Sequence, residues 1–268
     1  MEIAALTALF AGTAIVLVYA RLRQLGRDPL GPHPSGELPD TALALIAGFL
    51  AWVAARAFIV EAFIDAEGVA GLSGRTVTIL AVMGTNVVIA LALLRPALKG
   101  SLRASLSAGR LVTAGVLCAI VLLSGQLVYG VVMTFAYQLA GAEPPTQELV
   151  EETMNATGRD LAVRAVAAIA LAPFAEEVFF RGILLPAAAR SMGPARGLAV
   201  QAFVFGAIHF MTQWTAWPLA IPLAGVGWLA GWIYLRTGSL AVPIVMHASF
   251  NALNFAALTI SRTPPAGQ

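Results

Sequence analysis

Three charged residues stand close together in a very apolar part of the chain. Residues 171–186 read LAPFAEEVFFRGILLP, so Glu176, Glu177 and Arg181 interrupt a run that would otherwise suit a membrane interior. A charge at membrane depth costs about 2.5–3.5 kcal/mol or more, so each one needs a physical reason. Glu177 and Arg181 are four residues apart and share one face of a helix, where they can form an ion pair. Glu176 is rotated by about 100° from Glu177 and therefore points to a different neighbour.

Further polar residues follow in two later apolar segments. His209 lies in one of them, and His247 and Asn251 lie one helical turn apart in the other. If the segments cross a membrane in alternating directions, Glu176, His209 and His247 lie roughly 22, 18 and 12 Å from the ends at which their segments enter. In a hydrocarbon core about 30 Å thick, these depths fall in one central-to-cytoplasmic layer. The sequence therefore predicts that the polar residues meet in one cavity and form an active site.

The composition indicates the surroundings of these residues. Of the 268 residues, 59% are hydrophobic and 11% are charged, and the mean hydropathy is +0.83. Soluble domains carry about 25% charged residues, so we expect a single integral membrane domain over residues 1–268. The net charge of +2 and the dispersed arginines give no indication of nucleic-acid binding. Cys118 is the one cysteine, so neither a disulfide framework nor a cysteine-based metal site is expected.

The chain is predicted to be an all-α polytopic membrane protein with about eight transmembrane helices. A segment of about 20 apolar residues is needed to cross the hydrocarbon core. Segments of this kind cover residues 3–20, 41–63, 76–94, 111–139, 161–189, 196–213, 218–235 and 239–260. The catalytic cavity is expected among the later helices.

The charges between these segments predict the orientation in the membrane. Basic residues concentrate after the first, third, fifth and seventh segments, whereas acidic residues concentrate in the other connections. Cytoplasmic loops carry an excess of Lys and Arg, so both termini are predicted to lie outside. Arg21, Arg23 and Arg27 follow the first apolar segment, an order typical of a retained helix rather than a cleaved leader. Arg164, near the external end of the fifth segment, is expected to extend to the lipid headgroups.

The intramembrane polar residues also form three short motifs. Residues 176–181 read EEVFFR, an EExxxR pattern; residues 205–209 read FGAIH, an FxxxH pattern; and residues 247–251 read HASFN, an HxxxN pattern. In order and spacing they resemble the CPBP (CAAX protease and bacteriocin-processing, or Abi) family of intramembrane proteases. Its eukaryotic members are type II CAAX prenyl endopeptidases. The resemblance covers about residues 160–256 as the catalytic core and leaves residues 1–159 as family-variable spans and loops.

The resemblance implies an endopeptidase that cleaves a membrane-associated or lipidated protein or peptide. It implies catalytic roles for Glu176, His209, His247 and Asn251, with Glu177 and Arg181 in support. In this scheme Glu176 is the general base for a water that His209 orients. His247 and Asn251 donate hydrogen bonds to the tetrahedral oxyanion.

A metal-dependent scheme uses the same residues. Glu176, His209 and His247 would hold a divalent ion such as zinc and leave one position open for water. The chain has no HExxH motif, and the three ligands would come from three separate helices. Both schemes therefore stay open, and we favour the metal-free glutamate scheme.

Two functions without proteolysis also fit the sequence. One is a non-enzymatic bacteriocin-immunity or interaction protein, a role found among bacterial relatives, and the other is a proton-coupled transporter with a protonatable Glu/His site. No duplicated halves are visible, which disfavours the transporter. The alanine- and arginine-rich, lysine-poor composition is typical of bacteria, so a bacterial plasma membrane is expected. The expected partners are membrane lipids and a membrane-associated peptide or protein substrate.

Overall fold

A computed structural model describes residues 72–101, 107–145, 148–210 and 214–261. The secondary structure of this part is helical, which confirms the all-α class. Its α-helices are α1 Gly74–Ser101, α2 Ala108–Leu139, α3 Glu148–Asn155, α4 Gly158–Val166, α5 Ala172–Phe179, α6 Leu185–Met192, α7 Pro194–Ile208, α8 Ala220–Thr237 and α9 Ala241–Ile260. The predicted spans at 3–20 and 41–63 lie outside the described residues.

Several of these helices have the length and composition of membrane spans. Within the described ranges, the helices that are long and apolar enough to cross a membrane are Ala108–Leu139, Thr215–Thr237 and Ala241–Ile260. Helix α2, with 32 residues, is about 48 Å long and exceeds the hydrocarbon core of about 30 Å. Helix α7 has 15 residues and reaches about 22 Å, which is shorter than the predicted segment 196–213. Long apolar helices are thus present, whereas the number of eight spans is not confirmed.

The fifth predicted segment, 161–189, is not a regular α-helix. Helices α4, α5 and α6 follow one another without a break, but π-helical turns at Ala167–Leu171 (the first π turn) and Phe180–Leu184 (the second π turn) separate them. Pro173 follows the first π turn and Pro186 follows the second. Proline has no N–H, and in a regular α-helix its ring clashes with the carbonyl four residues earlier. A wider preceding turn relieves that clash, so the two prolines account for the two π turns.

Helices α7 and α8 approach closely because glycines line their contact. A Cβ atom on Gly227 would lie 3.0 Å from the Cβ of Phe205, and a Cβ on Gly206 would collide with the carbonyl oxygen of Ala220. Large apolar residues fill the adjoining core, where Phe180, Phe205, Ile233, Met246 and Phe250 are all buried. The close packing of α7 on α8 holds the segment that ends at His209 against the rest of the helices.

A network of charged and hydroxyl groups joins α4 to the start of α1. Arg164 Nε donates to Thr76 Oγ1 at 2.9 Å and lies 3.4 Å from Asp160 Oδ2. Asp160 also accepts hydrogen bonds from Ser73, at 2.9 Å from the backbone N–H and 3.0 Å from the hydroxyl. The Arg164 side chain is 6% exposed. The expectation that it extends to the headgroups is therefore wrong, because residues of α1 and α4 surround it and supply its partners.

The glycine contact predicts a difference between two substitutions. Gly206→Ala should lower the free energy of unfolding by about 1–3 kcal/mol, because its Cβ would press on the backbone of α8. Gly225→Ala should be neutral or stabilising by up to about 1 kcal/mol, because nothing lies within 4 Å of its Cβ position. Unfolding of both variants in mild detergent, followed by circular dichroism, measures this difference. Equal effects would contradict the close packing of α7 on α8.

The network at Asp160 predicts a pH dependence of stability. Burial alone would raise the pKa of the Asp160 carboxyl, but hydrogen bonds from Thr76 and Ser73 and the charge of Arg164 outweigh it and lower the pKa. A carboxyl whose pKa is lower in the folded state stabilises the fold above its unfolded pKa, about 3.9. That stability is lost as the pH falls through the folded pKa. Melting temperatures between pH 7 and pH 3 should therefore converge for the native protein and Asp160→Asn, and a constant gap would contradict the prediction.

Candidate active site

The ion pair predicted from the spacing of Glu177 and Arg181 is present at the centre of the helices. Arg181 Nη1 donates to Glu177 Oε1 at 2.9 Å, and both side chains are 0% exposed. The spacing of four residues keeps the two groups on one face although the second π turn begins between them. Two opposite charges are thus buried together in an apolar environment.

Neighbouring helices supply further partners for Arg181. Its Nη2 donates to the carbonyl oxygen of Gly227 on α8 at 2.9 Å, and the guanidinium carbon lies 4.9 Å from the centre of the Phe205 ring on α7. Gln201 Nε2 donates to the same Gly227 oxygen at 3.0 Å. The sequence analysis missed Gln201, although an amide inside the otherwise apolar α7 is a signal for a contact between helices. Arg181 therefore joins α5, α7 and α8 around one buried charge.

His247 extends the same cluster from α9. Its Nδ1 lies 2.8 Å from Glu177 Oε1, and its side chain is 6% exposed. Since a carboxylate only accepts hydrogen bonds, Nδ1 carries the hydrogen in this contact, which does not involve Nε2. The sequence analysis directed Glu176 towards both histidines, whereas the structure brings His247 to Glu177.

Glu176 and His209 form a second, more accessible pair. The distance from Glu176 Oε2 to His209 Nε2 is 3.9 Å, and the two side chains are 10% and 27% exposed. This distance is too long for a direct hydrogen bond. His209 Nδ1 lies 2.6 Å from the carbonyl oxygen of Phe205, which can only accept, so Nδ1 carries the hydrogen. In the neutral ring, Nε2 is therefore a hydrogen-bond acceptor that faces Glu176.

Asn251 lies one turn after His247 on α9 and contacts the first π turn. Its Nδ2 donates to the carbonyl oxygen of Ala168 at 2.7 Å. One of its amide hydrogens is thus engaged with the backbone of the segment that carries both glutamates.

The metal-dependent scheme needs Glu176, His209 and His247 around one ion. Among the residues that the structure describes, no three His, Cys, Asp or Glu side chains are placed to hold a metal ion together. Glu176 and His209 face each other at 3.9 Å, while His247 is directed to Glu177. The arrangement does not present the two-histidine, one-carboxylate donor set of a catalytic zinc site.

The buried ion pair predicts a large effect of removing one partner. Arg181→Met leaves the Glu177 carboxylate buried without its cation and should lower the free energy of unfolding by about 3–5 kcal/mol. Arg190→Met removes the same charge from an exposed position of α6 and should change it by less than about 0.5 kcal/mol. Unfolding in detergent measures both variants. A loss for Arg181→Met no larger than that for Arg190→Met would contradict a structural role of the ion pair.

A comparison with family models connects this geometry to known proteins. Residues 158–253 match the family described as Type II CAAX prenyl endopeptidase Rce1-like, and this range contains all three motifs. No curated protein and no solved structure matches the chain. The matched range overlaps residues 160–256, whose role as a catalytic core stays a prediction. Over residues 158–253, the chain is thus similar to the type II CAAX prenyl endopeptidase Rce1-like family, in agreement with the resemblance of its three motifs.

Proposed function

We propose that this protein is an intramembrane endopeptidase that hydrolyses a peptide bond of a membrane-associated or lipidated protein or peptide. The family match supports peptidase activity over an immunity protein or a transporter. The observation that carries the mechanism is the contrast between two adjacent carboxylates. Glu177 is fully buried and contacts Arg181 and His247. Glu176 is 10% exposed and faces His209, which is 27% exposed.

Glu176 is the general base of the proposed reaction. A separation of 3.9 Å between Glu176 Oε2 and His209 Nε2 suits a water molecule that donates one hydrogen to each of these acceptors. The lone pairs of that water then face away from both groups, towards an incoming carbonyl carbon. Glu176 takes one proton as the water oxygen bonds to the carbon, and His209 keeps the water oriented.

Glu177 is unsuited to this role. It is fully buried, and its Oε1 already accepts from Arg181 and His247. Its Oε1 instead accepts the hydrogen of His247 Nδ1 and so fixes the orientation of the imidazole ring. A protonated His247 can donate from Nε2 to the oxyanion of the tetrahedral intermediate.

The second step releases the amine. Glu176 returns its proton to the leaving nitrogen as the carbon–nitrogen bond breaks, which leaves a carboxylic acid and an amine as products. The second amide hydrogen of Asn251 would add a donor to the oxyanion. In this metal-free scheme Glu176 carries the one transferred proton, while the second hydrogen of the water stays on its oxygen and becomes part of the carboxylic acid product.

The proposed location is a bacterial plasma membrane, with eight spans and both termini outside. The alternation of basic and acidic connections supports this orientation. In this orientation the Glu176–His209 pair lies in the central-to-cytoplasmic layer of the bilayer. A substrate anchored in the membrane, with its scissile bond near the cytoplasmic side, fits this depth.

The proposed base is tested by Glu176→Gln in purified full-length protein reconstituted in lipid nanodiscs. Prenylated CAAX peptides and membrane-spanning peptides are the substrates, with and without a chelator. Cleavage should fall by about 10²–10⁴-fold in Glu176→Gln, because an amide cannot accept the proton. The melting temperature should change by less than about 2 °C, since the carboxylate makes no direct hydrogen bond to His209.

Glu143→Gln is the matched control, because it makes the same chemical change at an exposed position between α2 and α3. It should cleave at the native rate. Full activity of Glu176→Gln would refute its role as base. Loss of activity with chelator, restored by added zinc, would replace the metal-free scheme with the metal-dependent one. Absence of cleavage of every peptide by the folded native protein would refute the proposed activity towards these substrate classes.

A further inference from the structure

The carbonyl oxygen of Ala168 lacks a backbone partner in either helical pattern. In an α-helix its donor would be the N–H of Ala172, but that N–H bonds to the carbonyl oxygen of Ala167. In a π turn its donor would be residue 173, which is a proline and has no N–H. The hydrogen bond from Asn251 Nδ2, at 2.7 Å, satisfies this carbonyl.

Helix α9 holds the glutamate-bearing segment at two points. Asn251 binds Ala168 inside the first π turn, and His247 binds Glu177 in α5. The two contacts lie on either side of Pro173, so they bracket the junction between the π turn and α5. A change in the width of that turn would have to break one of them.

We propose that Asn251 is a positioning residue that closes the π turn opened by Pro173 and thereby sets the directions of Glu176 and Glu177. Its effect on catalysis rests on the function proposed above, whereas its effect on the helix does not. An unsatisfied carbonyl inside a membrane protein is costly, because no bulk water can replace the lost donor. Without Asn251 the turn relaxes towards another hydrogen-bond pattern. Moving one residue out of the turn rotates α5 by about 100° relative to α4.

The proposal predicts that Asn251 and Pro173 are energetically coupled. Asn251→Leu keeps the branched shape and removes the donor, so the full-length protein in nanodiscs should lose about 3–8 °C of melting temperature. Pro173→Ala restores an N–H at position 173, and the Ala168 carbonyl regains a backbone donor. In that background Asn251→Leu should lower the melting temperature by less than half as much. An equal loss in both backgrounds would overturn the proposal.

Pro186→Ala is the matched control for this coupling. Pro186 follows the second π turn as Pro173 follows the first, but the hydrogen bond of Asn251 goes to the first turn. The changes in melting temperature caused by Asn251→Leu and by Pro186→Ala should therefore be additive in the double variant, within experimental error. Coupling to Pro186 as strong as coupling to Pro173 would show a general effect of proline removal and would overturn the assignment.

Peptide cleavage separates positioning from a direct role at the oxyanion. If Asn251 is a positioning residue, Asn251→Leu should lower kcat by about tenfold or more. Adding Pro173→Ala to that variant should then raise kcat again by at least about threefold. The pH–rate profile should also move along the pH axis in Asn251→Leu and return in the double variant, because the Glu176–His209 geometry changes and recovers. If Asn251→Leu lowered kcat only by destabilising the fold, the rate would fall by the same factor at every pH and the pH–rate profile would keep its position. A role at the oxyanion alone, without positioning of the π turn, would leave the loss of kcat unchanged by Pro173→Ala. Either result would overturn the proposal.

Amide hydrogen exchange provides a test that needs neither a folded proline variant nor cleavage. Asn251→Gln displaces the donor by one methylene. It should speed the exchange of the backbone amides of residues 171, 172, 174 and 175 by about fivefold or more relative to those of residues 184, 185, 187 and 188. Equal or unchanged exchange in the two segments would overturn the proposal. If the exchange and melting results hold but no peptide is cleaved, the π-turn contact stands and the proposed protease function fails. If cleavage depends on Glu176 but Asn251 and Pro173 are not coupled, the proposed protease function stands and the positioning role of Asn251 fails.

Discussion

The burial of Glu177 and Arg181 is the constraint on which the rest of the site depends. Two charges in a membrane interior are tolerated only when each has close and well-directed partners. Glu177 meets this requirement with Arg181 and His247, and Arg181 meets it with Gly227 and the ring of Phe205. These partners come from α7, α8 and α9. The position of each of these helices is therefore tied to one ion pair.

The same constraint separates the two adjacent carboxylates chemically. Glu177 is fully buried, and its Oε1 accepts hydrogen bonds from both Arg181 and His247. Glu176 points about 100° away, is 10% exposed, and has its Oε2 3.9 Å from His209 Nε2 without a direct hydrogen bond. A base must gain and lose a proton during each cycle, which a sealed carboxylate cannot do without breaking the ion pair. In the proposed mechanism, the ion pair of Glu177 and Arg181 fixes the helix while Glu176 acts as the base.

The sequence predicts the parts of this arrangement that depend on local spacing. The four-residue spacing of Glu177 and Arg181 predicted their ion pair, and the three motifs predicted the family. Contacts between helices were harder to predict from the sequence, because they depend on how each helix is rotated about its axis. Gln201 was missed, Arg164 proved to be buried against α1, and His247 lies at Glu177 rather than Glu176. The catalytic roles of the motif residues remain predictions.

The rotation of α5 shows why such contacts escape a periodicity argument. That argument assumes 3.6 residues per turn from the start of the segment to the glutamates. The first π turn adds one residue, so Glu177 lies where residue 176 would lie in an uninterrupted α-helix. The glutamate that meets His247 is therefore selected by the turn that precedes Pro173 rather than by the EExxxR motif itself. Glu177 can take the structural role and Glu176 the proposed catalytic one only if the first π turn keeps its width. In our proposal that width depends on the hydrogen bond from Asn251 to the carbonyl oxygen of Ala168.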